Sequence, residues 1–406
     1  MSTTLAPETV AGFRTAWRDL APVGRATTGG YQRLAWTHDD LTLREWFAAQ
    51  AVARGLDLVE DRAGNQWAWW GDPDADGPGV VTGSHLDSVP GGGAFDGPLG
   101  VVSALAAVDE LRARGVRPSR PLGVACFTEE EGGRFGVACA GSRLLTGVLG
   151  PDRALGLRDT GGTTLADALR AAGRDPSTLG PDPQALARVG SFVELHVEQG
   201  RALVHSGDPV GVGRAIWPHG RWRVDLHGRG DHAGTTPLAD RVDPMLALAA
   251  LVQEVRAAAL EAGALATVGK VVVEPNGVNA IPSLVRAWLD VRADDEHRVR
   301  QVLDRLRGYA PVEESWTGPT VLDADLSDTV AAALGDAGLT PPHLSTGAGH
   351  DAGILAAAGV PTTMLFVRNP TGVSHDPAED ADEADCLIGV GALTAALTRL
   401  VGDVPA

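Results

Sequence analysis

Short apolar runs alternate with helical patterns from about residue 40 to residue 210. This alternation is the signature of β-α-β units built around a mostly parallel sheet. Three of the runs lead directly into polar segments: GVV at 79–81, PLGVACF at 121–127 and SFVELHV at 191–197. Because open α/β sheets build their sites at the carboxyl ends of their strands, the acids and histidines that follow these runs are candidate site residues.

The first of these polar segments, GSHLDSVPGGGAFDGPLG at residues 83–100, is rich in glycine and carries His85, Asp87 and Asp96. Glycine allows tight turns at an entropic cost, so this density predicts a loop that holds a bound group in a demanding geometry. Pro98 then begins a helical pattern that Gly115 ends. Strand, loop and helix is the simplest interpretation.

A different pattern occupies residues 216–325, where strand, helix, strand, strand and helix follow one another. That order predicts a small ferredoxin-like inserted domain. After it, the helical pattern HDAGILAAAG and the apolar run VPTTMLFV resume the first organisation. We therefore expect an α/β catalytic domain split between residues 1–215 and 326–406, with an α+β insertion between the two parts.

Composition excludes several classes of function. The formal net charge of −18 argues against nucleic acids and anionic membranes as partners, because both require clustered Lys and Arg. The N-terminus MSTTLAPETVAGFRTAW lacks the pattern of a signal peptide, and we expect a cytoplasmic protein. Three scattered cysteines, Cys126, Cys139 and Cys386, predict buried, reduced thiols rather than a disulfide framework. The only lysine, Lys270, does not lie in a P-loop motif.

Candidate metal ligands stand at the ends of the predicted strands. They are His85, Asp96, the triplet Glu129-Glu130-Glu131, His196 and the late His375 in GVSHDPAE. Two histidines with carboxylates are enough for one metal site, and two metals that share a bridging carboxylate need about this set of ligands.

The order H-x-D, D-G, E-E-G, H and a late H resembles the M20 metallopeptidase family. The longer strings TEEEGGRFG, ELHVEQG, DHAGTTPLADRVDP, EPNGVNAIP and GAGHDA resemble its branch of allantoate amidohydrolases, N-carbamoyl-L-amino acid hydrolases and β-ureidopropionases. The resemblance covers nearly the whole chain, including the insertion. It implies a zinc-exopeptidase-like catalytic domain with an inserted domain that serves as a lid and in dimerisation.

The resemblance also implies two divalent metal ions. His85 and His196 would bind the same metal, Asp96 would bridge, and Glu131 with His375 would complete the second site. Oxygen and imidazole ligands suit Zn²⁺ or Mn²⁺, and also Co²⁺ or Ni²⁺.

Two assignments near these ligands stay open at this point. Asp87 would accept the second ring N–H of His85 and fix its tautomer, or it would only stabilise the turn. The family register makes Glu130 the general base and Glu131 the ligand, which the 35-residue spacing from Asp96 (131 − 96) supports. A shift by one residue would give these roles to Glu129 and Glu130.

By the same resemblance, His232 in GDHAGTTP would stabilise the oxyanion when the inserted domain closes, from its own or the partner subunit. Gln199, Asn279 and Arg292 match positions that bind a substrate carboxylate, which a guanidinium pairs with bidentately. His350, beside Asp351 in GAGHDA, would line the site.

The predicted activity is therefore hydrolysis of the carbamoyl C–N bond of allantoate or an N-carbamoyl-L-amino acid, with release of ammonia. An M20 aminoacylase or dipeptidase that acts on N-acyl amino acids is the alternative among enzymes. A catalytically silent binding protein is the alternative outside them. The resemblance further implies a homodimer.

Asp376 stands where many relatives have Asn, and the sequence assigns no role to Trp217, His219 or Trp222.

Overall fold

The structure, a computed structural model, describes residues 3–27 and 29–402. The chain divides into two compact units, residues 1–214 with 321–406 and residues 215–320. The predicted insertion, residues 216–325, overlaps the second unit. Residues 321–325 lie in the first unit, because Val321 belongs to a strand of the larger sheet and a helix begins at Ala324.

The helices are numbered along the chain and have these bounds: α1 Pro7–Leu20, α2 His38–Ala53, α3 Pro98–Ala113, α4 Ala140–Leu145, α5 Pro151–Gly156, α6 Leu165–Ala171, α7 Pro183–Ala187, α8 Ala202–Ser206, α9 Pro244–Ala262, α10 Glu296–Arg305, α11 Ala324–Asp336, α12 Asp351–Ala357 and α13 Glu383–Val401. Short 3₁₀ turns lie at Pro176–Thr178, Leu238–Asp240 and Arg307–Tyr309.

The strands are numbered in the same way: β1 Asp57–Glu60, β2 Gln66–Trp70, β3 Gly79–His85, β4 Leu122–Phe127, β5 Val189–Val197, β6 Val210–Ile216, β7 His219–His227, β8 Asp231–His232, β9 Leu265–Glu274, β10 Ala280–Ile281, β11 Leu284–Arg292, β12 Val312–Thr317, β13 Thr320–Val321, β14 His343–Thr346 and β15 Thr362–Val367.

The first unit is built on a nine-stranded sheet with the order β1-β2-β4-β3-β5-β15-β6-β13, and β14 also pairs with β6. Its centre is parallel, since β4 and β5 both pair in parallel with β3, and β15 pairs in parallel with β5. The three predicted strands that lead into polar segments are therefore β3, β4 and β5, side by side. Because they run in the same direction, their carboxyl ends meet at one edge of the sheet.

Two helices of the first unit are apolar on nearly every face. Helix α3 follows the Gly-rich loop, and most of its residues are buried among the strands and the helices α1 and α13. A helix that is hydrophobic all round belongs in the core of a large domain. Helix α13 is long and apolar enough to span a membrane by length and composition, but 72% of its apolar window is buried.

The second unit contains the order β7-α9-β9-β11-α10-β12. Its four-stranded antiparallel sheet has the order β12-β7-β11-β9. This is the ferredoxin-like arrangement, and its core is formed by the alternating inward residues of β7 and β11 with the helices α9 and α10. Trp222 is buried in this core and packs against Trp316. Trp222 therefore has a structural role in the core of the second unit.

Candidate metal centre

Two histidines face one oxygen of Asp96. The Nε2 atoms of His85 and His196 lie 3.5 Å and 3.3 Å from Asp96 Oδ1. The Nδ1 atom of His85 is 3.1 Å from the carbonyl oxygen of Asp87, and that of His196 is 2.9 Å from the carbonyl oxygen of Val197. A carbonyl oxygen can only accept, so each Nδ1 carries the proton and each Nε2 presents its lone pair.

These lone pairs suit a metal ion. Among the residues that the structure describes, both Nε2 atoms are buried and have no hydrogen-bond partner. A buried imidazole nitrogen without a partner carries a desolvation cost that metal coordination would remove. His85, Asp96 and His196 form a group whose ligand atoms lie close enough together to hold one ion.

A second such group uses the other oxygen of Asp96. His375 Nε2 lies 3.2 Å from Glu131 Oε2 and 3.5 Å from Asp96 Oδ2. These three residues also form a group able to hold a metal. The carboxylate of Asp96 therefore stands between the two groups, with one oxygen facing each.

The loop that carries Asp96 is held by residues from the segment around His375. One oxygen of Glu379, Oε1, accepts hydrogen bonds from the backbone N–H of Phe95 at 2.8 Å and of Asp96 at 2.9 Å. The Ser374 hydroxyl donates to Asp96 Oδ2 at 2.9 Å. Sequence analysis missed Glu379 and Ser374; their nearness to His375 in SHDPAE was the only available signal.

Gln199 also contacts the Asp96 carboxylate. Its Nε2 atom donates to Asp96 Oδ2 at 2.7 Å and to Ser374 Oγ at 3.1 Å. The sequence predicts a substrate contact for Gln199. In the structure its amide also contacts a candidate metal ligand, and the substrate contact stays a prediction.

The three consecutive glutamates face different surroundings. Glu129 contacts a different segment, and its Oε1 accepts hydrogen bonds from the backbone N–H of Arg134 and of Phe135. Glu130 Oε2 lies 3.7 Å from His85 Nε2, and Glu131 faces His375. Glu130 and Glu131 are thus the two glutamates of the triplet that lie beside the candidate ligand histidines, and their roles stay a prediction.

The carboxylate of Asp87 connects two segments of the site. Its Oδ1 and Oδ2 atoms accept from the backbone N–H of Glu130 and of Glu131, each at 3.1 Å. The nearest contact to the His85 Nδ1 atom is the Asp87 carbonyl oxygen, while the carboxylate lies 3.5 Å from that ring nitrogen. Asp87 therefore ties the loop of His85 to the segment of Glu130 and Glu131.

Burial and crowding strongly shift the ionisation of these groups. Burial raises the pKa of Glu130 well above its ordinary value, and the nearby carboxylates of Asp351 and Glu131 add to this effect against the attraction of His85. Burial opposes the charge of Asp96 as well, but the adjacent imidazoles of His196 and His85 outweigh it and hold the pKa of Asp96 well below the usual range. The site concentrates negative charge that bound cations would neutralise.

His350 and Asp351 lie behind the first ligand group. The ring of His350 packs against that of His196 with centroids 4.6 Å apart, and His350 forms a further candidate metal group with His196 and Glu194. Asp351 begins helix α12 and accepts a hydrogen bond from Ser142 Oγ at 2.5 Å. Burial raises the pKa of Asp351 to about 8.

The remaining predicted residues lie in the second unit. His232 is exposed on β8 and pairs with Ala280 of β10, and the backbone N–H of Ala233 donates to the carbonyl oxygen of Asn279. His232 and Asn279 thus stand on neighbouring backbone segments. Arg292 ends β11, and its guanidinium forks onto Asp290, with Nε at 2.6 Å from Oδ1 and Nη2 at 2.9 Å from Oδ2.

The model of peptidase family M20/M25/M40 matches residues 81–399, the range that contains both ligand groups. The chain belongs to this family. Among its relatives, an N-carbamoyl-L-amino acid amidohydrolase of Geobacillus stearothermophilus is 37% identical over 92% of this chain and 94% of the relative. An allantoate amidohydrolase of Escherichia coli (strain K12) is 32% identical over 96% of this chain and 99% of the relative.

Solved structures share the fold of this M20 chain. The crystal structure of AtUAH in complex with (S)-hydroxyglycine matches it with a TM-score of 0.89 and 29% identity over 98% of both chains. The predicted family and the mixed α/β fold with a mostly parallel central sheet are therefore confirmed.

Replacing Gly97 by alanine is expected to weaken metal binding by about 10-fold or more, a usual effect of disturbing a residue that orients a metal ligand. Gly97 has a φ of 86°, and a Cβ at this position would lie 2.4 Å from ring atoms of His85. The His85 ring must therefore move, and this displaces its Nε2 atom from the candidate metal site. The measurement is a titration of chelator-stripped protein with Zn²⁺ or Mn²⁺ against a coloured competing chelator.

Gly91→Ala is the matched control for that variant. Gly91 lies in the same loop with a φ of 79°, and an added Cβ would meet nothing within 4 Å. It imposes similar backbone strain without touching His85. Equal loss of metal affinity in the two variants would show that strain, and not the position of His85, controls the site.

Proposed function

We propose that this protein is a dinuclear-metal amidohydrolase that cleaves the carbamoyl C–N bond of allantoate or of an N-carbamoyl-L-amino acid and releases ammonia. The observation that carries the proposal is the Asp96 carboxylate, which offers one oxygen to each of two ligand groups beside Glu130. The names of the relatives, at 32–37% identity over most of the chain, support the ureido substrate class.

In this proposal His85 and His196 would hold one ion, Glu131 and His375 would hold the other, and Asp96 would contribute to both sites. The ligands are imidazoles and carboxylates, which suits Zn²⁺ or Mn²⁺ and accommodates Co²⁺ or Ni²⁺. When bound, such ions polarise a carbonyl oxygen and make water acidic enough to attack near neutral pH. A ureido carbonyl needs both effects, because two nitrogen atoms donate electron density into it.

Glu130 is the proposed general base. Its Oε2 atom is directed toward His85 beside the ligand groups, where a carboxylate can take a proton from the attacking water. The same carboxyl group then delivers that proton to the leaving nitrogen. Glu130 lies near His85 of the first ligand group and is the chain neighbour of Glu131 in the second. Its side chain can therefore serve both proton transfers.

Residues of the second unit supply charge stabilisation and substrate recognition in this proposal. His232 donates a hydrogen bond to the oxyanion, a contribution that typically amounts to roughly 10²–10³ in rate. Asn279, Gln199 and Arg292 bind the substrate carboxylate, and His350 lines the site. The similar structure AtUAH was solved with (S)-hydroxyglycine, a small carboxylate.

The alternative of an N-acyl aminoacylase or dipeptidase is not favoured, since relatives of 32–37% identity carry the names of carbamoyl and allantoate amidohydrolases. A silent binding protein would have lost a ligand or the base, whereas His85, Asp96, Glu130, Glu131, His196 and His375 are present and cluster. The cytoplasmic location stays a prediction.

We also propose a homodimer formed through the second unit. Strand β9 is at the end of the four-stranded sheet, so one side of its backbone is available for pairing with another strand. Apolar side chains are exposed on β9 at Val271 and Val272 and on α9 at Leu246 and Val252. Pairing of β9 with its copy would continue the sheet across two subunits and cover such residues.

The substrate class is tested by ammonia release from protein reconstituted with Mn²⁺ or Zn²⁺. The panel contains allantoate, N-carbamoyl-L-amino acids and N-carbamoyl-β-alanine, with N-acetyl-amino acids followed as free amine. We expect activity on one ureido class and a loss of roughly 10²–10⁴-fold in Glu130→Gln, because the amide cannot accept the proton. Activity on acetyl compounds alone would instead assign an aminoacylase.

Arg292→Ala is expected to raise KM for a carboxylate-bearing substrate by about 10-fold or more, since charged hydrogen bonds contribute about 1.5–3 kcal/mol each. The measurement is a comparison of KM and kcat with the unaltered protein. Arg286→Ala is the control, because Arg286 lies on the same strand and pairs with Glu274 and Asp225. A similar rise in KM for both variants would remove the assigned role of Arg292.

Light scattering tests the dimer. We expect a particle of twice the 42.0 kDa chain mass, and a charged replacement such as Val272→Glu in β9 is expected to shift the population toward monomer, because it would bury a charge at the new strand pair. Val321→Glu is the control, because Val321 lies outside the second unit and its side chain is more exposed than that of Val272. A monomer in the unaltered protein at assay concentration would contradict the proposal.

A further inference from the structure

Cys139 contacts the proposed base, and the proposed function gives it no role. Its Sγ atom lies 3.3 Å from Glu130 Oε1, within hydrogen-bond distance for sulfur, and the residue is 2% exposed. The other two cysteines, Cys126 and Cys386, are also buried, but Cys386 reaches only the carbonyl oxygen of Ala381 at 4.0 Å.

The thiol of Cys139 stays protonated and can donate. Burial raises its pKa well above the ordinary value, and the nearby carboxylates of Glu130 and Asp351 raise it further. A protonated thiol is a weak donor, whereas a carboxylate oxygen can only accept. The direction of the contact is therefore from sulfur to Glu130 Oε1.

The backbone of Cys139 returns to the same glutamate. Its N–H donates to the carbonyl oxygen of Glu130 at 2.5 Å, and the N–H of Ala140 donates to that of Glu129 at 3.0 Å. Cys139 adopts a left-handed φ of 53°, which is uncommon for a residue with a side chain. These bonds hold the conformation and keep the thiol beside the glutamate.

The two carboxylate oxygens of Glu130 thus have different surroundings. Oε1 receives the thiol, while Oε2 is directed toward His85 at 3.7 Å. A single fixed donor on one oxygen limits rotation about the terminal bond of the side chain, a torsion that is otherwise soft.

We propose that Cys139 is a positioning residue, whose S–H group fixes the Glu130 carboxylate so that Oε2 faces the ligand groups. This inference rests on the proposed role of Glu130 as the base. It adds a function for a buried thiol that is otherwise only a small apolar side chain.

Kinetics give the first test. Cys139→Ala is expected to lower kcat about 10-fold with KM changed by less than about twofold, because the base is present but less often oriented for proton transfer. Cys139→Ser is expected to bring kcat back to within about threefold, since a hydroxyl donates to the same oxygen. An unchanged kcat in Cys139→Ala, or a serine variant no better than alanine, would overturn the proposal.

Cys386→Ala is the matched control, because it removes a buried thiol away from Glu130. It should leave kcat unchanged. If Cys386→Ala lowered kcat as much as Cys139→Ala, the effect would belong to the loss of buried volume, and the proposal would be wrong. Unfolding temperatures of all variants, measured with the same metal, check that the loss in kcat does not follow stability.

Infrared spectroscopy gives a second test that needs no substrate. The stretching frequency of an S–H group falls when it donates to a strong acceptor, and the three cysteines each give one such band. In Glu130→Gln the acceptor becomes a neutral amide, so the lowest of these bands should move to higher frequency. Unmoved bands would overturn the proposal even in an active enzyme. A moved band in a protein inactive on every ureido substrate would reject only the proposed function.

Discussion

The carboxylate of Asp96 is the group on which the arrangement of this site depends. It lies between two histidines on one side and a third histidine with a glutamate on the other, and each of its oxygens faces one group. A carboxylate in that position is costly without positive charge nearby, since burial opposes its ionisation. The histidines that hold the pKa of Asp96 low are the same residues whose nitrogen atoms would coordinate metal.

The position of Asp96 is determined by segments far from it along the chain. Glu379 binds the two backbone N–H groups at Phe95 and Asp96 through a single oxygen, and Ser374 binds the carboxylate itself. Asp87 makes the corresponding connection on the other side, from the first loop to the backbone of the glutamate segment. The loop is therefore attached at several points to the strands and the late segment, and its geometry does not depend on its own glycines alone.

Much of the site could be predicted from the sequence, because the ligands follow apolar runs that become neighbouring parallel strands. His85 and His196 lie within β3 and β5, whose carboxyl ends meet, and the family motif supplied the register of the glutamates. Contacts between segments that lie far apart in the sequence could not be predicted, because no hydrophobic period or motif spacing links such segments. Neither Glu379 on the Asp96 loop nor Cys139 on Glu130 leaves a periodic or spacing signal in the sequence. The backbone partners of the Asp87 carboxylate could not be predicted for the same reason, since no residue type reveals a contact with a backbone N–H.

The Arg292 guanidinium is oriented by a neighbouring carboxylate on its own strand. Asp290 is two residues away on the same face of β11, and its carboxylate occupies the guanidinium fork that the proposal gives to the substrate. Arg221 also approaches Asp290, at 3.6 Å, so this carboxylate has a second cation available. A substrate carboxylate that takes one edge of the Arg292 guanidinium would leave Asp290 with Arg221 as a cationic neighbour. Asp290 would thereby fix the orientation of Arg292 before substrate binds, which lowers the entropy cost of recognition.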